Sequence, residues 1–93
     1  MMIRTKEVTA AADSGAVALT TESDTDRNAG RSVAVRNKSG GVVWLGGQDV
    51  SPENGWDLPD GEDISLDLFA GDRLFAVGDP GVAVSLRVFQ VGV

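Results

Sequence analysis

Apolar and polar positions alternate with a period of two along most of this chain. Residues 32–37 set Val33 and Val35 against Ser32, Ala34 and Arg36. Residues 62–68 set Ile64, Leu66 and Leu68 against Ser65 and Asp67, and residues 82–91 set Val82, Val84, Leu86 and Val88 against Ala83, Ser85, Arg87 and Phe89. Successive side chains of a strand point to opposite faces, so each run predicts a strand with one buried and one wet side. Residues 16–21 repeat the pattern through Val17 and Leu19. Residues 42–45 and 73–78 are apolar on both phases, as expected of strands that are central in a sheet or covered by a partner. No segment holds a helical period over ten residues.

Turn chemistry separates these runs. Residues 38–41 (Lys-Ser-Gly-Gly) lead into the strand at 42–45 and predict a hairpin with residues 32–37. Gly46-Gly47, Asn54-Gly55, Pro59-Asp60-Gly61, Ala70-Gly71-Asp72 and Asp79-Pro80-Gly81 mark the other reversals, with a short extended segment at 56–58 and a polar loop at 22–30. Six or seven short strands with turns every 8 to 12 residues predict an all-β domain, a small antiparallel β-sandwich or jelly-roll-like barrel, over residues 15–93. Residues 1–14 have weak periodicity and fit an extended N-terminal arm or an edge strand better than a core element.

Composition narrows what such a domain can do. A 93-residue chain makes one domain, and one of this size buries only roughly 60 to 65% of its unfolded surface. With no cysteine to staple it, the remaining route to extra burial is self-association. Residues 1–12 carry Arg4, Lys6 and Glu7 where a signal sequence needs an apolar block, and no run approaches the roughly 18 apolar residues of a membrane helix. A soluble, unprocessed chain folded in the cytoplasm is the expectation. The net charge is −6, and between Ser39 and Asp72 there are eight acidic residues and no Lys or Arg. Such a surface argues against nucleic acid, which requires a basic face.

The catalytic inventory is sparse. There is no His, Cys or Tyr, which removes the usual neutral-pH base, the thiolate nucleophile and the commonest transition-metal ligands, so no enzyme activity and no cofactor are expected. Asp57 and Asp60 form a carboxylate pair of the kind glycosidases use, but they fall in a turn whose own chemistry explains them. Calcium binding through an EF-hand fails on spacing: with Gly61 at the sixth loop position, the first and third ligand positions fall on Trp56 and Leu58. A looser cation site would use Asp49, Glu53 and Asp57. Gly40-Gly41 and Gly46-Gly47 precede no helix and no P-loop Lys, which makes them turn glycines. Trp44 lies in an apolar strand and reads as core. Trp56, after the Asn54-Gly55 turn, reads either as a cap on the sandwich or as an exposed platform for a sugar ring.

The order of these elements carries a resemblance. Val35-Arg36-Asn37, Val43-Trp44-Leu45-Gly46-Gly47, Asp49-Val50, Asn54-Gly55, Leu58, Gly61-Glu62, Ile64-Ser65-Leu66, Gly71-Asp72, Leu74, Ala76-Val77 and residues 84–91 follow one another as in small virion proteins of tailed bacteriophages, especially those of actinobacterial hosts. Over residues 16–93 the chain resembles capsid decoration (cement), head-fibre or tail-associated proteins. That resemblance implies a β-rich homotrimer on the outer capsid surface of a virion, bound to the major capsid protein, with no catalytic residue. It also implies that attachment would use the arm and the outward strand faces: Ile3, Arg4, Lys6, Val8, Phe75, Phe89 and Val91. The alternative is a carbohydrate-binding or host-recognition module of a tail or head fibre, contacting glycans through Trp56.

Overall fold

The computed structural model describes residues 2–20, 31–68 and 72–92. They form eight strands: β1 (Met2–Ala10), β2 (Val17–Ala18), β3 (Arg31–Asn37), β4 (Val43–Gly46), β5 (Trp56–Leu58), β6 (Asp63–Leu68), β7 (Phe75–Gly78) and β8 (Val84–Gly92). Two four-stranded antiparallel sheets result, one ordered β1-β8-β3-β6 and the other β2-β7-β4-β5. The pairs β1–β8, β2–β7, β3–β6 and β4–β5 are all present. The first half of the chain thus pairs strand by strand with the second half in reverse, and the long ribbon so formed rolls into two facing sheets. This is the jelly-roll arrangement, an all-β sandwich as the alternation predicted.

The alternating runs bury the phases their patterns assign. Val33 and Val35 of β3, and Val84, Leu86 and Val88 of β8, face inward and meet Val43 and Leu45 of β4, Leu58 of β5 and Ala76 of β7 in one core. The chain crosses between sheets at nearly every turn, so the core draws on both halves of the sequence. Strand β7 lies between β2 and β4, the central position expected for a run apolar on both phases.

Three expectations need correction. Residues 2–10 do not form an arm separate from the domain: they are β1, a nine-residue edge strand in register with β8 from Met2↔Gly92 to Ala10↔Val84. Its weak periodicity arises because Lys6 stands on the inward phase before Val8 and Ala10, and only the last two pack against the core. The hairpin predicted between residues 32–37 and 42–45 is not made, since β3 and β4 belong to different sheets. Asn37, fully buried, explains the crossing. Its Nδ2 donates to the Gly41 and Leu58 carbonyls at 2.8 and 2.7 Å, and its Oδ1 accepts from Ser39 N–H at 2.8 Å, tying the turn to β5 of the opposite sheet. Trp44 is on the outer phase of β4, half-buried, with its indole N–H donating to Asp79 Oδ1 at 2.6 Å; the core positions are its neighbours Val43 and Leu45.

Candidate interaction surface

The register of the first sheet fixes what its outer face presents. Across β1, β8, β3 and β6 the outward residues fall into rows: Ile3, Val91, Ser32 and Asp67; then Thr5, Phe89, Ala34 and Ser65; then Glu7, Arg87, Arg36 and Asp63. The first row is apolar on β1 and β8, the second places Phe89 and Ala34 between Thr5 and Ser65, and the third is a ladder of charges. Among the described residues the exposed large hydrophobics are Ile3 (60% exposed), Phe89 (42%) and Trp56 (67%). The first two share this face, and half-buried Val91 lies in the same row as Ile3.

The third row runs acid, base, base, acid across the sheet. Arg36 and Arg87 are register partners, which places two guanidinium side chains side by side on neighbouring strands, an unfavourable arrangement by itself. Arg36 Nη2 donates to Asp63 Oδ2 at 3.2 Å, compensating one of them. Arg87 makes no hydrogen bond or ion pair within 4.0 Å among the described residues, and its register partner on the other side is the acidic Glu7 of β1. A depression of about 300 Å³ lies over this point, lined by Thr5, Ala34, Val35, Arg36, Asp63, Arg87 and Phe89. It offers an uncommitted guanidinium, a hydroxyl and an aromatic ring on an open surface. Such a site can hold a carboxylate or a flat apolar group.

The sequence-predicted contact residues divide. Ile3, Phe89 and Val91 come together on this face. Val8 does not: it is on the inward phase of β1 and packs against the core, because its register partner is the buried Leu86. Lys6 is also on the inward phase, half-buried opposite Val88. The backbone of Arg4 is placed in β1, and its side chain lies outside the described residues. Phe75 belongs to the other sheet, half-buried on β7. Arg87 and Arg36 were not singled out by the sequence. Their adjacency depends on the pairing of residues 31–37 with 86–92, which no local pattern encodes.

Trp56 occupies a different region. It opens β5, an edge strand of the second sheet, and extends into solvent next to exposed Asp57. The loop before it is tightly built. Asn54 Oδ1 accepts from Ser51 N–H at 2.8 Å, Asn54 Nδ2 donates to Asp49 O at 3.2 Å, and Gly55 N–H donates to Ser51 O at 2.8 Å. A Cβ on Gly55 would stand 2.7 Å from Trp44 Cβ, so only glycine lets the loop pack this closely. Asp49, Glu53 and Asp57 do not assemble a cation site; the described residues contain no group of three or more carboxylates able to hold a metal ion.

No family model matches the chain, and no curated protein matches it. Among solved structures the chain is similar to one from Bacillus endospore appendages, described as a novel family of disulfide-linked pili, with a TM-score of 0.67 at 16% identity over 98% of this chain and 83% of that one. At this identity the likeness establishes a shared fold. The present chain has no cysteine.

Proposed function

We propose that this chain is a non-catalytic building block of a protein assembly, held to its neighbours by noncovalent contacts. The observation that carries this reading is the outer face of the β1-β8-β3-β6 sheet, where Ile3, Phe89 and Val91 form an apolar stripe beside a row of charges. Two large exposed hydrophobics on one face of a small domain mark a contact surface. The absence of cysteine means that any assembly it enters is sealed by such contacts and not by disulfides.

The resemblance of residues 16–93 to tailed-phage virion proteins supports one particular assembly, the outer surface of a capsid. There the chain would act as a decoration protein that reinforces contacts between major capsid subunits. Binding only to the assembled shell would stabilise it by RT ln(1 + [L]/Kd), about 2.7 kcal/mol per site at a hundredfold excess over Kd. Exposed Trp56 beside Asp57 favours the second reading, a glycan-binding module.

Sedimentation of the purified chain over a micromolar concentration range tests the first proposal: association with rising concentration is expected, and a monomer of 9.7 kDa throughout would overturn it. Decorated and stripped capsids would then be compared for heat resistance, with equal disruption temperatures at saturating occupancy excluding the cementing role.

A further inference from the structure

We propose that Asn54 is a modification site: opening of the loop at residues 51–55 lets its side-chain amide deamidate, and the product keeps the loop open. This goes beyond the building-block reading and does not depend on it. Asn54 precedes Gly55, whereas the other asparagines of the chain precede Ala29 and Lys38. A side chain on the following residue obstructs the approach of that residue's backbone nitrogen to the asparagine amide, and glycine has none. The fold requires both members of the pair. A Cβ at Gly55 would stand 2.7 Å from Trp44 Cβ and 2.9 Å from Val50 Cγ2, and the Asn54 amide makes the bonds to Ser51 N–H and Asp49 O that close the loop. Packing and turn chemistry thus place the asparagine dipeptide most open to this reaction in an exposed loop.

The reaction is intramolecular. Gly55 N loses its proton to solvent base and bonds to Asn54 Cγ, the Cγ–Nδ2 bond breaks, and ammonia leaves. Water then opens the resulting succinimide at one carbonyl or the other, giving aspartate or isoaspartate. The closed loop blocks the first step. Ser51 O accepts from Asn54 N–H at 3.1 Å and from Gly55 N–H at 2.8 Å, a single helix-like turn. For Gly55 N to reach Cγ the backbone must rotate at Asn54 and the bond from Gly55 N–H must break, so the reaction proceeds from the open loop and tracks its population. The product does not restore what was lost. Aspartate has no N–H to donate to Asp49 O, and it adds a charge next to Glu53 in a span from Ser39 to Asp72 without Lys or Arg. Isoaspartate also lengthens the backbone where Gly55 has no room to spare. Trp56, which follows Gly55, then loses the loop that positions it.

The experiment follows the full chain at mildly alkaline pH by mass spectrometry of its peptides, reading the conversion of Asn54, and by hydrogen exchange at Gly55 N–H. Folded wild type should convert at least about tenfold more slowly than the urea-unfolded chain, because conversion requires local opening. Val50→Ala thins the packing on Gly55 and should speed Asn54 conversion and Gly55 exchange by the same factor, since both pass through one opening. If that variant loses its melting transition, wild type in urea below its unfolding transition replaces it, with the same parallel expected. Asn54→Asp should keep a native melting transition while its Gly55 N–H exchanges faster than in wild type. An unfolded chain that leaves Asn54 intact, conversion as fast folded as unfolded, or conversion that does not follow exchange would overturn the inference. So would an Asn54→Asp chain whose Gly55 N–H is as protected as that of wild type.

Discussion

The two sheets of this sandwich are unequal. The β1-β8-β3-β6 sheet has strands of six to nine residues in continuous register, whereas the β2-β7-β4-β5 sheet has strands of two to four. The long sheet reads in sequence as alternation, because each of its central strands has one buried and one solvated face. The short sheet reads as brief apolar runs between turns, and its loops carry much of the acidic charge. The inequality divides labour: the long sheet supplies most of the backbone pairing and the face proposed for contact, while the short sheet covers the core and holds the loop that presents Trp56.

The largest predicted effect comes from removing β1. Deleting residues 1–10 strips nine register positions from β8 and uncovers Val8 and Ala10's share of the core. The expected loss is more than about 4 kcal/mol, comparable to the total stability of a small domain. The edge of the short sheet should respond far less, with Val17→Ala in two-residue β2 costing about 1 kcal/mol. Urea unfolding of both variants checks this. A truncated chain that melts within a few degrees of wild type would mean that β1 is a detachable arm after all.

Within the long sheet the contrast is between centre and edge. Leu86 is fully buried on β8, and Leu86→Ala should cost about 3 to 5 kcal/mol. Leu66, central in the cleanest alternating run of the sequence, is only half-buried because β6 is an edge strand, so Leu66→Ala should cost about 1 to 2 kcal/mol. Equal losses in thermal or urea denaturation would show that the edge is covered more completely than its position implies.

Asn37 and Asn54 extend the comparison to polar groups. Asn37→Ala leaves the buried Leu58 carbonyl and the turn at 38–41 without partners and should cost about 2 to 4 kcal/mol. Asn54 makes a similar set of bonds in an exposed loop, where water can replace them, so Asn54→Ala should cost about 1 kcal/mol or less. A loss of equal size at both sites, measured by urea unfolding, would overturn the assignment of Asn37 as the buried tie between the sheets.

How much of this was legible follows from which interactions are local. The strands at 32–37, 62–68 and 82–91 were visible because a period of two is written in consecutive residues, and all three belong to the long sheet. Asn54-Gly55 and Pro59-Asp60-Gly61 were visible as turns because their backbone demands are local; Gly61 has φ +81°, which glycine adopts without strain. Strand β1 was legible only as an arm or an edge strand, because Lys6 precedes Val8 and Ala10 on its inward phase and its pairing with β8 spans nearly the whole chain. Asn37 looked like the polar end of a strand, since the carbonyls that make it a core residue belong to Gly41 and Leu58. The candidate surface was half legible: Arg87, Phe89 and Val91 share a phase of one strand, but Ile3 and Arg36 join them only through long-range register.

The smallest effect is expected at the charge row, where it is most informative about what the outer face is for. Arg36→Ala removes the 3.2 Å pair with Asp63, whose two side chains are each 61% exposed, and at the same time removes the like charge beside Arg87. An exposed pair is worth about 0 to 1 kcal/mol and the relieved repulsion offsets part of it, so stability should change by no more than about 0.5 kcal/mol in either direction. Asp63→Asn should be slightly worse, because it leaves two guanidinium groups in register with only Glu7, beyond Arg87, to offset them. That excess loss is Coulombic between exposed groups and should shrink as salt is added. Urea unfolding of the two variants at low and at high salt makes the measurement. A loss above about 2 kcal/mol for Arg36→Ala, or a salt-independent one for Asp63→Asn, would mean that this row supports the sheet as the core strands do. The expected near-silence in stability would leave these charges free to serve the contact proposed for the outer face of the long sheet.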